Sequence, residues 1–154
     1  MEAREIHERL AALRRPLGAR ELTLTVGESA IRLTGLDDGL SERLGPRWGE
    51  FVTEGGAGRP RATLRLFTAT EEHWLARPAP GELYRVESVA CGGRRAIASY
   101  HFAVGREQAE DCWRIGISRD ADEPLERIVE NAVRYVTAVV TAEDGGFAMH
   151  AGGV

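Results

Sequence analysis

The first third of the chain alternates apolar and polar positions, the pattern of a strand with one face on a core. ELTLTV (residues 21–26) has an apolar side chain at every second position, and Ile31 and Leu33 continue the alternation in SAIRLTG (residues 29–35). The Gly-Glu pair between the two segments is suited to a turn. The pattern therefore predicts a β-hairpin.

Two short segments instead repeat apolar residues at the spacing of a helix. In residues 3–14 the apolar side chains lie on one side of the predicted helix, and the segment ends before Pro16. Residues 36–44 have a leucine at every fourth position, and Gly45-Pro46 follows as a stop. We expect both segments to form short amphipathic helices.

The clearest element is a helix predicted over residues 124–141. Pro124 suits its first turn, and Gly145-Gly146 supplies the stop. Its β-branched residues give it low intrinsic helix propensity, so packing against a sheet must stabilise it. The apolar residues recur at steps of three and four: Leu125, Ile128, Val129, Ala132, Val133, Val136, Val139 and Val140.

Four further segments have the character of strands. These are RATLRLF (residues 61–67), residues 83–90, residues 96–104 and CWRIGIS (residues 112–118). A Cys-Gly-Gly-Arg turn at residues 91–94 joins the middle two into a hairpin. The second of those two is expected to carry one apolar face, made by Ala96, Ala98, Tyr100, Phe102 and Val104.

Strands followed by a long helix, with several hairpins, favour an α+β fold over a doubly wound parallel one. We predict a mainly antiparallel sheet of hairpins, covered by the long C-terminal amphipathic helix and by short N-terminal helices. Three tryptophans, Trp48, Trp74 and Trp113, either belong to the core or line a pocket.

The net charge and the basic residues of the chain narrow the range of functions that it can have. The 154 residues have a net charge of −4 and a pI of about 5.6, so the chain lacks the basic field that nucleic acids require. All 20 basic residues are arginine. Schiff-base chemistry on a lysine and a P-loop lysine are both excluded.

The chain is expected in the cytoplasm. Cys91 and Cys112 form no CxxC pair and are interpreted as small apolar strand residues in a reducing compartment. The first sixteen residues are charged throughout and do not resemble a secretory signal, and no apolar run has the length of a membrane span.

No motif predicts catalysis or metal binding. The glycine-rich segment GGAGRP (residues 55–60) lacks the GK[ST] ending of a P-loop, and no GxSxG elbow occurs. No two histidines have HxxxH or HExxH spacing. We therefore predict no catalytic, cofactor-binding or metal-binding residue, with His7 and His73 at the surface, His101 in a strand and His150 structural.

The C-terminal residues resemble a known family. The helix sequence ENAVRYVTAVVTAEDGG (residues 130–146) runs directly into FAMHAGGV (residues 147–154). This join is similar to the one in HPr-kinase-like P-loop proteins, where a helix leads through Gly-Gly into a strand of the form LLHAAGV, and His150 matches the histidine of that strand. In the family a Walker A loop follows, which binds ATP and Mg²⁺.

The resemblance implies two parts and one leading function. Residues 1–146 would be an N-terminal accessory domain, and residues 147–154 the first strand of a P-loop kinase core absent from this sequence. The chain itself would be no enzyme and would bind no cofactor. Its partners would be the kinase core, in cis or in trans, and a peptide or protein substrate.

Two further possibilities remain open. An uncommitted apolar strand at residues 147–154 would favour self-association into a homo-oligomer. The alternative function is a stand-alone module that binds a small ligand or a peptide.

Overall fold

The computed structural model describes residues 3–53, 59–69, 73–83, 85–107, 111–121 and 124–146. Residues 147–154, which carry the family resemblance, and most of the glycine-rich segment 55–60 lie outside these ranges. The elements in chain order are α1 (Ala3–Ala12), β1 (Arg20–Val26), β2 (Ser29–Leu36), α2 (Asp38–Trp48), a 3₁₀ turn (Gly49–Phe51), β3 (Ala62–Ala69), β4 (Glu87–Cys91), β5 (Arg94–Ala98), β6 (Phe102–Arg106), β7 (Cys112–Ser118) and α3 (Leu125–Glu143).

The fold is α+β, as predicted, but its sheet is mixed. The strands of the described ranges form one seven-stranded sheet in the order β1-β2-β3-β7-β6-β5-β4. Two central pairings, β2 with β3 and β3 with β7, are parallel, whereas the outer pairings are antiparallel. Parallel neighbours need a crossover connection, and α2 lies in the connection between β2 and β3. The hairpins predicted at both ends of the sheet are present.

One face of the sheet carries the main core. Alternate residues of β3, β6 and β7 turn large side chains toward α2 and α3, and the corresponding side of α3 is buried. The pairs Arg43–Glu126 and Arg47–Glu130 join the exposed sides of the two helices. The fully buried side chains of this face include Leu64, Leu66, Phe102, Val104, Trp113, Ile115, Ile128 and Val136.

The opposite face is covered by α1 and Trp74. Here the sheet presents small residues, among them Ala98 and Ala103, and Ile6 and Leu10 pack on them. Gly116 shows why the residues are small: a Cβ there would lie 2.3 Å from the indole Cζ2 of Trp74. Larger side chains at these positions would clash with α1 and Trp74.

The segment predicted as one strand over residues 96–104 is two. β5 ends at Ala98, the chain reverses through residues 99–101, and the Ser99 amide donates to the carbonyl of Phe102 over 2.8 Å. The reversal breaks the alternation, so Ala98 faces α1 while Phe102 and Val104 face α3. The prediction of a single apolar face was therefore wrong.

Two further boundaries differ from prediction by more than two residues. α2 does not end at Gly45-Pro46 but includes both and continues to Trp48. Pro46 lies in the last turn, and the helix ends at Gly49, whose φ of +37° departs from helical geometry. β4 begins at Glu87, four residues later than the segment predicted from residue 83.

Of the described helices, none combines the length and the apolarity that crossing a membrane requires.

Candidate functional site

The histidines lie in settings that the sequence did not predict. His7 is half-buried, and its Nε2 is buried without a hydrogen-bond partner among the described residues. Burial lowers the pKa of His7 below its usual 6.5, and nearby Arg94 acts in the same direction. The prediction of a surface residue was wrong for His7, since the imidazole packs between α1 and the sheet.

The other two described histidines lie close together. His73 stacks on Tyr100 with 3.7 Å between ring centroids, and its Nε2 lies 3.3 Å from Asp120 Oδ2. His101 is 1% exposed and lies in the turn between β5 and β6, not in a strand. The two imidazole centroids are 6.0 Å apart. Within the described ranges, no group of His, Cys, Asp or Glu has the arrangement of a metal site, and His150 lies outside those ranges.

The three tryptophans do not share a pocket. Trp74 lies under α1 and Trp113 under α3, on opposite faces of the sheet, and both are fully buried. Trp48 is partly buried at the end of α2. Trp113 lines a groove.

That groove, called the α3 groove from here on, lies between α3 and the ends of β5, β6 and β7. Its volume is about 610 Å³, within the usual range of small-molecule sites. Its main lining residues are Arg95, Arg106, Trp113, Tyr135, Val139 and Glu143.

Strand pairing and helix periodicity together place these side chains at one site. Trp113 opens the inward-facing series of β7, and Arg106 is its partner in the β6–β7 register. Tyr135 and Val139 are four residues apart, so they share one side of α3. The groove is thus assembled from a helix and the ends of neighbouring strands.

An aromatic pair forms the floor of the α3 groove. The rings of Trp113 and Tyr135 meet edge to face, with centroids 5.8 Å apart, and the Arg106 guanidinium lies 5.3 Å from the indole centroid. The indole Nε1 and the phenol Oη are both buried, and neither has a hydrogen-bond partner among the described residues. Burial raises the pKa of Tyr135, while Arg95 and Arg106 oppose that rise.

A network of ion pairs closes one end of the groove. Arg106 binds both carboxylate oxygens of Glu143, at 2.5 and 3.0 Å, and Arg61 binds both oxygens of Asp144, at 2.9 and 3.0 Å. Acidic residues at a helix C-terminus oppose the helix dipole, and the two arginines offset this cost. Their hydrogen bonds lower the pKa values of Glu143 and Asp144. These four residues are called the α3 clamp.

A charged side chain that lines the cavity on the α1 side has a structural role. The cavity holds about 450 Å³ and is lined by His7, Arg94 and Arg114 among others. Arg114 donates to the carbonyls of Leu10 and Leu13, each over 2.9 Å, and pairs with Glu107. It thereby binds the carbonyls at the end of α1 and holds that helix on the sheet.

Sequence reasoning did not single out Tyr135, Arg95 or Arg106. The available signal was an aromatic residue beside the apolar stripe of α3, but its pairing with Trp113 depends on the packing of α3 over β7.

Comparison of the chain with protein-family models, with curated proteins and with solved structures found no match. The fold therefore defines the chain as an α+β domain with a mixed sheet, and the α3 groove and the α3 clamp are the features from which its function can be argued.

Proposed function

We propose that residues 1–146 form a non-catalytic accessory domain of an HPr-kinase-like, ATP-dependent serine kinase. Residues 147–154 would then be the first strand of the P-loop core. The basis is the similarity of the join between residues 130–146 and FAMHAGGV to the family's join between helix and strand.

The α3 clamp is the structural observation that best supports this proposal. It fixes the end of α3 against two parts of the sheet, since Arg61 directly precedes β3 and Arg106 ends β6. Gly145, with a φ of +81°, follows at once and turns the chain out of the helix. A joint to a neighbouring domain benefits from such a fixed point of exit, because it limits the orientations that the next segment can take.

The proposal assigns ATP and Mg²⁺ to the core. A P-loop uses a lysine to reach the nucleotide phosphates, and this sequence contains no lysine. The accessory domain would contact the core in cis or in trans and help to present a peptide or protein substrate. The cytoplasm is the compartment we propose, and the free thiols of Cys91 and Cys112 are compatible with it.

The gene provides the direct test. The proposal expects the reading frame beyond the Val154 codon to encode GxxxxGK[ST] within about 20 residues, the length of a turn and one further strand. A stop codon at that point, or a long continuation without the motif, would contradict it.

The α3 groove favours a second candidate, a module that binds a small ligand or a peptide. Its volume is suitable, and it combines an apolar floor with charged residues at the rim. A ligand of this site should slow hydrogen exchange at the amides of α3 and β7. Protection confined to other elements would place ligand binding elsewhere and count against this candidate.

A further inference from the structure

The floor of the α3 groove contains two buried polar groups that lack partners. Trp113 is 1% exposed, and its indole N–H can only donate a hydrogen bond. The Tyr135 hydroxyl is also buried, and neither group bonds to a described residue. Leaving such a group unsatisfied destabilises the folded state, so each calls for an explanation. For the Tyr135 hydroxyl, an acceptor supplied by a ligand would provide one.

The charges around the groove favour a negative ligand. Glu143 is bonded to Arg106, and Glu107, at the edge of the groove, is bonded to Arg114. Arg95 is exposed, forms no ion pair with a described residue and lines the groove together with Tyr135. The groove therefore offers donors and positive charge, while its nearby carboxylates are already engaged.

The rest of the lining is apolar. Val139 and Ala142 lie on the α3 side, and the Trp113 and Tyr135 rings form the floor. A purely inorganic anion would leave this apolar surface uncovered. A ligand with an apolar body would bury it, at roughly 25 cal/mol for each Å² removed from water.

From these observations we infer that the α3 groove binds a small organic anion, a carboxylate carried on an apolar body. The carboxylate lies between Arg95 and the Tyr135 hydroxyl, and the body covers Trp113 and Val139. Arg95 is exposed and lines the groove, so its guanidinium can reach a carboxylate bound there. This inference rests on the second candidate function and is independent of the kinase proposal.

Three probes with one body test the inference by isothermal titration calorimetry: 4-phenylbutyrate, 4-phenylbutanol and 4-phenylbutylamine. They present an anion, a neutral hydroxyl and a cation on the same apolar group. We expect the carboxylate to bind about tenfold more tightly than the alcohol, the scale of one charge-assisted hydrogen bond. The amine should not bind, and added salt should weaken carboxylate binding.

Two variants locate the site. Tyr135→Phe removes the hydroxyl and should weaken 4-phenylbutyrate binding about tenfold. Its melting temperature should stay level or rise, because the variant also removes an unsatisfied buried group. Arg95→Gln should weaken binding severalfold. Arg119→Gln is the matched control, since Arg119 is exposed just beyond the opposite end of β7 from Trp113 and should leave affinity unchanged.

The outcomes separate the inference from the function on which it rests. Equal binding of the alcohol and the carboxylate would overturn the preference for an anion and leave a ligand-binding module standing. Absence of binding by all three probes would count against both. If Tyr135→Phe kept full affinity, or melted well below the parent chain, the hydroxyl would have a structural role and the proposed contact would be wrong.

Discussion

The two faces of the sheet are packed in different ways. On the α3 face, large aliphatic and aromatic side chains from the strands fill the space beneath two helices. On the α1 face, the strands present alanine and glycine, and a ten-residue helix and Trp74 lie close to the backbone. The α3 face is stabilised mainly by its buried side-chain volume, and the α1 face by the close approach of α1 and Trp74 to the sheet backbone.

This difference has consequences for stability. Apolar burial on the α3 face involves six of the seven strands, all except β4, so its loss should affect global unfolding. The α1 helix has ten residues and buries fewer of them than α3, so it can open locally while the sheet stays folded. Four predictions test this contrast, beginning with the largest effect.

The largest effect is expected from truncating one fully buried isoleucine in α3 and one in α1. Ile128→Ala in α3 should lower the free energy of unfolding by about 2–5 kcal/mol. Ile6→Ala removes the same atoms from α1 but should act mainly by releasing that helix. Urea unfolding combined with amide hydrogen exchange measures both effects. If Ile6→Ala exposed the central strands to exchange as much as Ile128→Ala, the two faces would not differ in this way.

Close approach on the α1 face is tested next by a pair of glycines. Gly116→Ala should cost about 1–3 kcal/mol, because the new methyl group meets the rigid, buried Trp74. Gly39→Ala is the control: it lies in the first turn of α2, where the new methyl group meets only the end of the flexible Arg43 side chain and the Asp37 carboxylate, and it should change the free energy of unfolding by less than about 1 kcal/mol. Thermal unfolding of both variants gives the comparison. A neutral Gly116→Ala would show that Trp74 does not pack tightly there.

A smaller effect, dependent on pH, should separate the α1 face from the rest. Burial lowers the pKa of His7 in the folded state, so the unfolded chain binds a proton more readily. Stability should therefore fall as pH drops below about 6.5 and level off below the folded pKa. His7→Gln should remove this slope. Urea titrations at several pH values between about 7.5 and 5.5, one pH unit either side of the usual pKa of 6.5, measure it. An unchanged slope in the variant would assign the proton to another group.

The smallest effect concerns the α3 clamp, whose charges are largely exposed. Hydrogen bonds from Arg106 and Arg61 lower the pKa values of Glu143 and Asp144. Their contribution is present above the usual values of 4.5 and 3.8, and is lost as pH falls through the lowered folded values. Arg61→Gln should raise amide exchange at the end of α3 at neutral pH, but not at pH about 2, where the carboxylates are protonated. Equal amide exchange in the Arg61→Gln variant and in the parent protein at neutral pH would show that the clamp does not hold the end of α3.

Local pattern predicted many of the elements. The β1–β2 hairpin, β7 and α3 follow from periods of two or of three and four residues, because each of these elements turns one continuous face to a core. The same reasoning failed at residues 99–101, where a turn contains Tyr100 and His101 and no glycine or proline marks it. Parallel pairing of β3 with β7 was also beyond local pattern, since three strands, β4, β5 and β6, separate the two in sequence.

The candidate site was less predictable than the fold. Trp113 was recognised as a residue that could line a pocket, but its neighbours Tyr135, Arg95 and Arg106 come from three other elements. Their meeting depends on the strand order and on the position of α3. The α3 clamp is similar, because Arg61 and Asp144 are distant in sequence and carry no motif.

The kinase proposal is tested most directly by measuring MgATP binding on two polypeptides side by side. One is the 154-residue chain, and the other is the same chain continued through the downstream reading frame. The account predicts saturable binding by the longer polypeptide and none by the shorter. Saturable MgATP binding by the 154 residues alone, or its absence from the longer polypeptide, would contradict the assignment of an accessory domain beside a P-loop core.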